Sequence, residues 1–421
     1  MPTAELDSSA ARASIAAELA GSTGQLLAMS QGLVAAASPN PPGDVTRAAD
    51  TAETLLRNIP DMEVIRLTPA PGIVNLIGRL SAKVPGRRLV FNGHLDTFPI
   101  DEDAGWTVPP LGGVAKEGRL YGRGVSDMKG GIAASLLAVQ ALAKQPSKWR
   151  GEVVVTLAGD EETMGVLGTR YLLDNFPEAR GDAMISADVG SPKVIRFGEK
   201  GLFWLQIEAS GTPAHGAHVH KGVNAIDRLC DALARIRAAE RLSPAAPAAV
   251  LAAIDKAKPV SEPLSGAGEN DVLKRVTVNI GSMEGGISPN LVPAKAVARI
   301  DIRLPVGLAT AHIKDFIRRE LGAMPGIAVK VLQCYEPNYT DPSEEIVRVV
   351  ARAAEEVLGA APVVNMRVGA SDARHYRAFG IPSVIFGPTP FNLGGPDEHV
   401  LIDELLSVTK VHALAAFDFL A

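Results

Sequence analysis

Residues 128–162 read MKGGIAASLLAVQALAKQPSKWRGEVVVTLAGDEE, and this stretch indicates the fold class. Its first part, Met128–Lys144, is rich in alanine and leucine, which favour an α-helix. Its second part contains the apolar run Val153–Leu157, which is typical of a buried β-strand. A helix that leads into a buried strand predicts an α/β fold with a mostly parallel sheet and helices on both of its faces.

Similar segments on both sides of this stretch extend the pattern. Short apolar runs that predict strands lie at Leu89–Phe91, Met184–Ser186 and Ser383–Phe386. Helical patterns lie at Thr163–Asn175, Pro342–Leu358 and Asp403–Leu420. We therefore expect the strands of the sheet to come from the first and last parts of the chain, with a segment of a different kind between them.

The middle of the chain predicts a second, smaller domain. Leu202–Ala209 alternates like a half-exposed strand, and a helix, two strands, a helix and a last strand at Ile327–Leu332 follow it. This β-α-β-β-α-β order is that of a ferredoxin-like α+β unit. We therefore predict an inserted domain at residues 197–336, with residues 1–196 and 337–421 forming the larger domain.

Two local expectations concern the inserted domain. The proline- and alanine-rich stretch Ser243–Gly268 is expected to be a loop. Cys230 falls among the apolar residues of a predicted helix and is expected to be a small core residue. Because Cys230 and Cys334 are the two cysteines and neither is in a CxxC pair, a disulfide framework is excluded and a reducing compartment is expected.

The overall composition excludes several classes of function. The chain has 421 residues, with 42 Lys and Arg against 47 Asp and Glu, a formal net charge of −5. No basic stretch is present that would bind nucleic acid. The amino terminus has no apolar signal region, and no run of about 18 apolar residues indicates a membrane span. We expect a cytoplasmic protein that acts on a small molecule.

Acidic residues and histidines follow the predicted strands at several places. They are His94, Asp96, Asp127, Glu161, Glu162, Asp188 and the run Asp397–His399. Ligands of open α/β sheets gather at the carboxyl ends of the strands, so these side chains are expected to converge there.

Each of these signals has an ordinary structural explanation when it is taken alone. A His-x-Asp pair is commonly structural, an aspartate before a helix is commonly an N-cap, and an acidic run commonly begins a solvated helix. Together they are different, because clustered carboxylates repel each other unless a cation lies among them. Carboxylates with one imidazole suit Zn²⁺, Mn²⁺ or Co²⁺. One glutamate of an adjacent pair can bind such a metal while the other takes a proton from water.

Longer motifs in the chain resemble those of the M20 metallopeptidases, which include succinyl-diaminopimelate desuccinylase, acetylornithine deacetylase and glutamate carboxypeptidase-like enzymes. The motifs are NGHLDTFP, GRLYGRGVSDMKGG, AGDEETMG, GTPAHGAHVHKGVNAI, GGISPNLVP and GASDARHYRAFGIPSVIFGP. They are spread over nearly the whole chain. The resemblance implies a metal-dependent hydrolase whose inserted domain is a lid and forms a homodimer or higher homo-oligomer.

The resemblance also implies which residues bind metal and perform catalysis. The implied ligands are His94, Asp127 and Asp188 at one metal site, and Asp127 with Glu162 at a second site. Asp96 would support His94, and Glu161 would be the general base.

Further residues are implied to contact the substrate. His215 of the partner subunit would stabilise the oxyanion, and Asn290 and Arg303 would help to hold the substrate. Arg374 is a candidate for binding a substrate carboxylate, and the alternative is a surface salt bridge.

The chain departs from the M20 pattern near its carboxyl terminus. Members usually have a histidine in the order H-x-P-D-E-Y, whereas residues 394–399 here read GGPDEH. Gly394 replaces the histidine, and His399 stands in place of the tyrosine. Either His399 supplies the missing imidazole through a shifted loop, or the second site is weak and one ion remains at the His94 site. We expect one ion, with Mn²⁺ a candidate because the site has few soft ligands.

These observations predict hydrolysis of an amide C–N bond in a small carboxylate-bearing substrate, such as an N-acyl amino acid or a short peptide. An alternative is a deaminase of an aromatic amine at a mononuclear metal centre, as in the divergent M20 member that acts on 5-nitroanthranilate. A catalytically inactive binding protein of this fold is disfavoured, since it has no need of Glu161 beside a metal. An NAD-dependent enzyme is excluded because no GxGxxG motif follows the first strands.

Overall fold

The computed structural model describes residues 8–421, which form two compact units. The first unit contains the residues up to Phe197, Thr340–Asn365 and Ser371–Ala421, and the second contains Gly198–Tyr339 and Met366–Ala370. The strands are β1 (Glu63–Ala70), β2 (Ile73–Ser81), β3 (Arg88–His94), β4 (Val114–Lys116), β5 (Arg119–Tyr121), β6 (Glu152–Ala158), β7 (Ala183–Ser186), β8 (Val194–Glu199), β9 (Gly201–Ser210), β10 (Thr277–Gly285), β11 (Lys295–Leu304), β12 (Ile327–Tyr335), β13 (Asn338–Tyr339), β14 (Val363–Arg367), β15 (Ser383–Ile385) and β16 (His399–Leu401). The helices are α1 (Ser8–Leu19), α2 (Thr23–Ala35), α3 (Thr46–Arg57), α4 (Gly130–Ala143), α5 (Thr169–Asn175), α6 (Ala225–Arg237), α7 (Ala248–Ser265), α8 (Glu269–Lys274), α9 (Thr310–Leu321), α10 (Glu345–Leu358), α11 (Ala373–Ala378) and α12 (Ile402–Leu420).

The first unit is built on a mixed sheet with the strand order β1-β2-β6-β3-β7-β15-β8-β13 and with β14 beside β8. The central strands β6, β3, β7 and β15 run parallel, and the flanking pairs are antiparallel. The loops that follow these four strands therefore meet at one side of the sheet, which we call the carboxyl edge.

Helices cover both faces of this sheet, as predicted. Successive residues of β3 point to opposite faces, so Leu89 and Phe91 join one apolar core while Val90 joins another. The first core includes side chains of α2, α4, α10 and α12, and the second includes side chains of α5 and α11. The sequence prediction of an α/β fold with a parallel centre is confirmed.

The second unit has a separate four-stranded antiparallel sheet with the order β10-β11-β9-β12. One face of β9 presents Phe203, Leu205 and Ile207 to α6 and α9, and these elements form a third apolar core. The strands and the helices α6 and α9 follow the predicted β-α-β-β-α-β order. Within the described residues, 8–421, no helix is long and apolar enough to cross a membrane.

Two local predictions about the second unit are wrong. The stretch 243–268 is largely helical, because α7 runs through Pro259 and Pro263 and buries Val250, Ile254 and Ala257 on one side. That spacing of apolar residues outweighs the helix-breaking signal of the prolines. Cys230 is exposed rather than buried, because the buried side of α6 is centred on Leu229, Ala232 and Ile236, and one residue along a helix turns the side chain by about 100°.

Candidate metal centre

His94, Asp127 and Asp188 converge at the carboxyl edge. One ligand atom from each of them lies within 4.8 Å of the others. His94 is the last residue of β3, Asp188 follows β7, and Asp127 lies in the turn that precedes α4. The neighbouring strands β3 and β7 are parallel, so their ends bring residues distant in sequence together. His94 and Asp188 are buried, and Asp127 is half-buried.

The hydrogen bonds of His94 prepare its second nitrogen to bind a cation. Nδ1 lies 2.9 Å from the backbone oxygen of Asp96, which can only accept, so Nδ1 carries the proton. In the neutral ring Nε2 then holds a lone pair, and this nitrogen lies 2.8 Å from Oδ1 of Asp127. Two acceptors at that distance repel each other unless a proton or a cation lies between them. Burial opposes charge on His94, but the hydrogen bonds to Asp127 and Asp96 outweigh burial and raise the pKa of the imidazole well above its usual range.

The carboxylate of Asp96 holds the turn that contains the two glutamates. Its Oδ1 accepts from the backbone N–H of Glu161 at 3.1 Å, and its Oδ2 accepts from that of Glu162 at 3.0 Å. Asn40 donates from Nδ2 to Oδ2 at 2.9 Å. The backbone oxygen of Asp96 thus orients His94 while its side chain positions Glu161 and Glu162.

Glu161 and Glu162 are carboxyl groups that carry negative charge with difficulty in this environment. Burial raises the pKa of Glu161 to about 8, and nearby Asp372 adds to the effect. Burial and the neighbouring Asp127 raise the pKa of Glu162 to about 10. Among the described residues, Oε1 of Glu162 is buried and has no hydrogen-bond partner. A divalent cation would supply the missing partner and favour the charged form, so these donors fit the metal that the sequence predicts.

Arg374 lies beside Glu161. Its Nη1 is 3.6 Å from Oε1 of Glu161 and donates to the backbone oxygen of Ser371 at 2.5 Å. The side chain is only 3% exposed, which rules out the alternative of a surface salt bridge. Its positive charge lowers the pKa of Glu161 and partly offsets the effect of burial.

The segment 394–399 is fixed to the carboxyl edge by Glu398. One carboxylate oxygen accepts from Nη1 of Arg123 at 2.6 Å, and the other accepts from the Ser126 backbone at 3.1 Å and hydroxyl at 2.7 Å. Arg123 also donates from Nη2 to the backbone oxygen of Gly394 at 2.8 Å. This network links Ser126, the residue before Asp127, to Gly394, the position at which the resemblance implies a histidine.

His399 does not belong to the cluster of His94, Asp127 and Asp188. Its ring stacks on Phe391 with centroids 4.9 Å apart and lies 4.8 Å from the ring of Tyr121. Its Nδ1 donates to the backbone oxygen of Asp397 at 2.8 Å. These contacts hold the imidazole against Phe391 and Tyr121.

In the second unit, the structure brings together His215 and Asn290. The backbone N–H of Gly216 donates to the backbone oxygen of Asn290 at 2.6 Å. Nδ1 of His215 accepts from the Ala217 N–H at 3.1 Å, so in the neutral ring Nε2 carries the proton and is a hydrogen-bond donor. Both side chains are exposed, and Asn290 accepts from the Ser288 hydroxyl through Oδ1 at 2.5 Å, which leaves its amide as a donor.

Arg303 lies on β11 of the same unit. Its Nε donates to both carboxylate oxygens of Asp301, at 2.9 and 3.0 Å. Within the described part of the chain, its Nη1 is buried without a hydrogen-bond partner. The paired Asp301 thus fixes the guanidinium through Nε, while the buried Nη1 makes no hydrogen bond to the described residues.

Sequence reasoning missed Asn40, Arg123, Ser126 and the structural role of Glu398. Arg123 and Ser126 stand in the quoted motif GRGVSD, so their proximity to Asp127 was a usable signal. Asn40 gave no signal, because its partner Asp96 is distant in sequence and the asparagine stands in an ordinary turn-like stretch, SPNPPG.

Comparison with known proteins gives a consistent result. The profile described as peptidase family M20/M25/M40 matches residues 90–418. Succinyl-diaminopimelate desuccinylase of Rhodospirillum centenum is 31% identical over 350 residues, which cover 80% of this chain and 82% of that protein. The M20 family metallo-carboxypeptidase Sso-CP2 from Sulfolobus solfataricus superposes with a TM-score of 0.77 at 19% identity, covering 94% of this chain and 99% of that one. The dipeptidase Dug1p from Saccharomyces cerevisiae gives a TM-score of 0.76 at 16% identity, covering 97% and 98%.

Proposed function

The chain belongs to peptidase family M20/M25/M40 and is a metallo-hydrolase of amide bonds, and on this premise we propose that it cleaves an N-acyl amino acid or a short peptide with Glu161 as the general base. The observation that carries the proposal is the convergence of His94, Asp127 and Asp188 at one sheet edge, beside the half-buried pair Glu161 and Glu162.

We assign His94, Asp127 and Asp188 as the ligands of one divalent cation. The family implies such a cation, and Zn²⁺, Mn²⁺ and Co²⁺ all suit these donors. A cation bound there would supply Lewis-acid chemistry, polarising the scissile carbonyl and lowering the pKa of a water molecule. Glu162 is either a fourth ligand or a contact through water, since its buried Oε1 faces no protein donor among the described residues.

Glu161 is assigned the proton transfers. Burial raises the pKa of Glu161 to about 8 in the metal-free protein, and a bound cation would oppose this shift, so the carboxylate is suited to accept a proton from water and return it to the leaving amine. Arg374, whose Nη1 lies 3.6 Å from Oε1 of Glu161, favours the ionised form of this carboxylate. Arg374 also remains a candidate contact for a substrate carboxylate, because a guanidinium can serve two carboxylates.

Residues of the second unit are assigned to the substrate and the oxyanion. The Nε2–H of His215 is suited to donate to an oxyanion, and we propose that His215 of the partner subunit performs this role in a homodimer. Asn290 and Arg303 would hold polar groups of the substrate, which is supported by the amide donor of Asn290 and by Nη1 of Arg303, which makes no hydrogen bond to the described residues.

A second candidate is the hydrolytic removal of an amino group from an aromatic ring at a mononuclear centre. Two observations favour it: Gly394 contributes no metal ligand, and His399 is held elsewhere by Phe391 and Tyr121. An aromatic substrate activated by its own substituents needs less assistance from a second cation. The expected cytoplasmic location also remains a proposal, supported by the two unpaired cysteines.

The test is a panel of N-acyl amino acids, dipeptides and aminobenzoates, assayed with metal-free protein and after addition of Mn²⁺, Co²⁺ or Zn²⁺. Release of a free amino acid that depends on added metal supports amide hydrolysis. Release of ammonia from an aminobenzoate supports the second candidate. Full turnover of either substrate class by metal-free protein contradicts both.

A further inference from the structure

A short segment near the amino terminus, residues 36–40, is bonded to the loop that follows β3. The backbone N–H of Thr97 donates to the backbone oxygen of Ser38 at 3.0 Å, and the backbone N–H of Asn40 donates to that of Thr97 at 2.9 Å. The hydroxyl of Ser38 donates to the backbone oxygen of Leu95 at 2.6 Å. The 36–40 segment is therefore fixed along its length to the loop that contributes to the metal centre.

The side chain of Asn40 joins this loop to the turn that contains the two glutamates. Its Nδ2 donates to Oδ2 of Asp96 at 2.9 Å and to Oγ1 of Thr163 at 3.3 Å, so each hydrogen of the amide has an acceptor. The ionised carboxylate of Asp96 can only accept, which requires the amide nitrogen rather than the amide oxygen to face it. The Thr163 hydroxyl donates its own hydrogen to the backbone oxygen of Asp160 at 3.2 Å, and its lone pairs accept from Asn40.

These bonds hold the glutamate turn at two places. The carboxylate of Asp96 accepts from the backbone N–H groups of Glu161 and Glu162, and Thr163 is the next residue of the turn. Asn40 connects that carboxylate to the Thr163 hydroxyl. A shift of the turn away from Asp96 would therefore stretch a bond of Asn40 as well as the backbone bonds. Asn40 is 7% exposed and Asp96 is fully buried, so bulk water does not replace these bonds.

The beginning of the 36–40 segment is anchored to the turn that contains Asp127. Lys129, two residues after Asp127, is buried and donates from Nζ to the backbone oxygen of Ala36 at 2.6 Å. Ala36 ends α2, and the last carbonyl groups of a helix have no partner within the helix, so this bond also satisfies the helix end. The 36–40 segment thus contacts all three parts of the chain that carry Asp127, Asp96 and the glutamate pair.

From these contacts we infer that Asn40 is a positioning residue of the metal centre, which holds Glu161 and Glu162 in place through Asp96 and Thr163. Its amide bonds to neither glutamate, so its effect passes through their neighbours. The inference rests on the proposed function, since Glu161 is the proposed base and Glu162 a proposed contact of the cation. Replacing a residue that orients metal ligands from outside typically lowers metal affinity or activity by about 10–100-fold.

The test replaces Asn40 by leucine, which removes both N–H donors and changes the size of the side chain little. The probe is Co²⁺, because its visible absorption depends on the ligands and geometry of its site. In a spectral titration of metal-free protein, Asn40→Leu should bind Co²⁺ about 10–100-fold more weakly than the unmodified protein. Its absorption spectrum at saturation should also differ. An unchanged affinity together with an unchanged spectrum would overturn the inference.

Asn270→Leu is the matched control for the loss of a buried asparagine. Asn270 lies in the second unit and is 6% exposed. Its Nδ2 also donates to a carboxylate, Oδ1 of Asp255 at 3.1 Å, and to a second oxygen, that of the Ile254 backbone at 3.0 Å. Both leucine variants should lose stability in urea denaturation, but only Asn40→Leu should change the binding and the spectrum of Co²⁺. Equal changes of the Co²⁺ spectrum in the two variants would overturn the inference.

A pair of variants at Thr163 decides the question if Asn40→Leu does not fold. Thr163 is exposed, so replacing it should not prevent folding. Thr163→Val removes the oxygen that accepts from Asn40, whereas Thr163→Ser retains a hydroxyl. Co²⁺ binding should weaken in Thr163→Val and stay near that of the unmodified protein in Thr163→Ser. In that case, equally tight Co²⁺ binding by both variants would contradict the role given to Asn40.

Activity measurements separate this inference from the proposed function. Where an acyl amino acid is cleaved, Asn40→Leu should lower kcat at saturating Co²⁺ with little change in KM, because displacing Glu161 affects the transition state more than substrate binding. If Co²⁺ binding depends on Asn40 but no acyl amino acid or peptide is cleaved, the positioning role stands and the proposed function fails. If acyl amino acids are cleaved and Asn40→Leu binds Co²⁺ as the unmodified protein does, the function stands and the positioning role fails.

Discussion

At the scale of single residues, the metal centre depends on Asp96 as much as on the metal-ligand candidates. Its backbone oxygen fixes the proton of His94 on Nδ1, and its carboxylate fixes the backbone of Glu161 and Glu162. One residue thus orients both the candidate ligand His94 and the proposed base Glu161. Burial acts against the charge on Asp96, but the hydrogen bonds from His94, Asn40 and Glu162 outweigh it and lower its pKa, so the carboxylate stays ionised.

Replacing Glu161 by glutamine should lower kcat by about 10²–10⁴-fold, because an amide cannot take a proton from water. The amount of metal per chain should stay unchanged, which elemental analysis of the purified variant would measure. Glu162→Gln is the matched variant and should weaken metal binding more than Glu161→Gln does. Loss of metal from Glu161→Gln with normal metal in Glu162→Gln would mean that the two roles are exchanged.

Replacing His399 by alanine should leave the metal content of the protein unchanged, because the ring is held between Phe391 and Tyr121 and its Nδ1 donates to Asp397. The measurement is a metal titration monitored by calorimetry, with His94→Ala as the control that should lose the tight ion. A stoichiometry of two ions that falls to one in His399→Ala would show that His399 is a ligand after all.

At the scale of elements, the loop between β15 and β16 is stabilised by a buried ion pair. Arg123 and Glu398 are 3% and 1% exposed, and removal of one partner leaves the other charge buried without compensation. Glu398→Gln should therefore lower the free energy of unfolding by about 3–5 kcal/mol, measured by urea denaturation. Asp315→Asn is the control, since it breaks an exposed pair with Arg318 and should cost about 0–1 kcal/mol. Equal losses for the two variants would contradict the role given to Glu398.

The elements themselves were largely predictable from the sequence, and the exceptions have physical causes. Strands β3, β6 and β7 appear as short apolar runs because both of their faces are buried, a signal that needs no knowledge of partners. Helix α7 is the exception because its prolines indicate a loop, whereas the burial of Val250, Ile254 and Ala257 on one side stabilises a helix. The convergence of acidic residues and histidines followed from the strand ends, and the ligand set from the family resemblance, but the contact between Glu398 and Ser126 spans 272 positions and has no local signature.

At the scale of the whole molecule, metal binding and stability should be linked through protons. Glu161 and Glu162 have pKa values raised to about 8 and about 10 from 4.5, so the metal-free folded protein holds protons that the unfolded chain releases at neutral pH. The stability of the metal-free protein should therefore fall as the pH rises from about 4.5 towards 8 and above. His94, whose pKa is also raised, contributes with the same sign.

A bound cation replaces these protons, so the increase in Tm produced by Mn²⁺ should be larger at about pH 8 than at about pH 6. Thermal unfolding with and without Mn²⁺ at both pH values would measure it. The double variant Glu161→Gln/Glu162→Gln should show a smaller difference between the two pH values. A larger increase at the lower pH would contradict this linkage.

The proposed action of His215 in the active site of the partner subunit can be tested by mixing two inactive variants. His215→Ala should lower kcat by about 10²–10³-fold, whereas His218→Ala, whose ring centroid is 6.0 Å from that of His215, should have little effect. If His215 acts across subunits, mixed dimers of His215→Ala and Glu161→Gln contain one complete site and regain activity. No recovery in mixed dimers, or full activity of a monomer in gel filtration, would place His215 in its own subunit.

The position of β15 between β7 and β8 has a consequence for synthesis on the ribosome. Strand β7 leaves the exit tunnel with one edge unpaired, and its partner, Ser383–Ile385, is translated only after the whole second unit. At about 5–20 residues per second, that delay is on the order of ten to forty seconds. During this time the nascent chain exposes the unpaired edge of β7, an apolar strand that is buried in the folded protein. Such edges pair readily with other chains. Slower translation between residues 187 and 382 should therefore increase aggregation of newly made chains, and a chaperone that covers strand edges should reduce it.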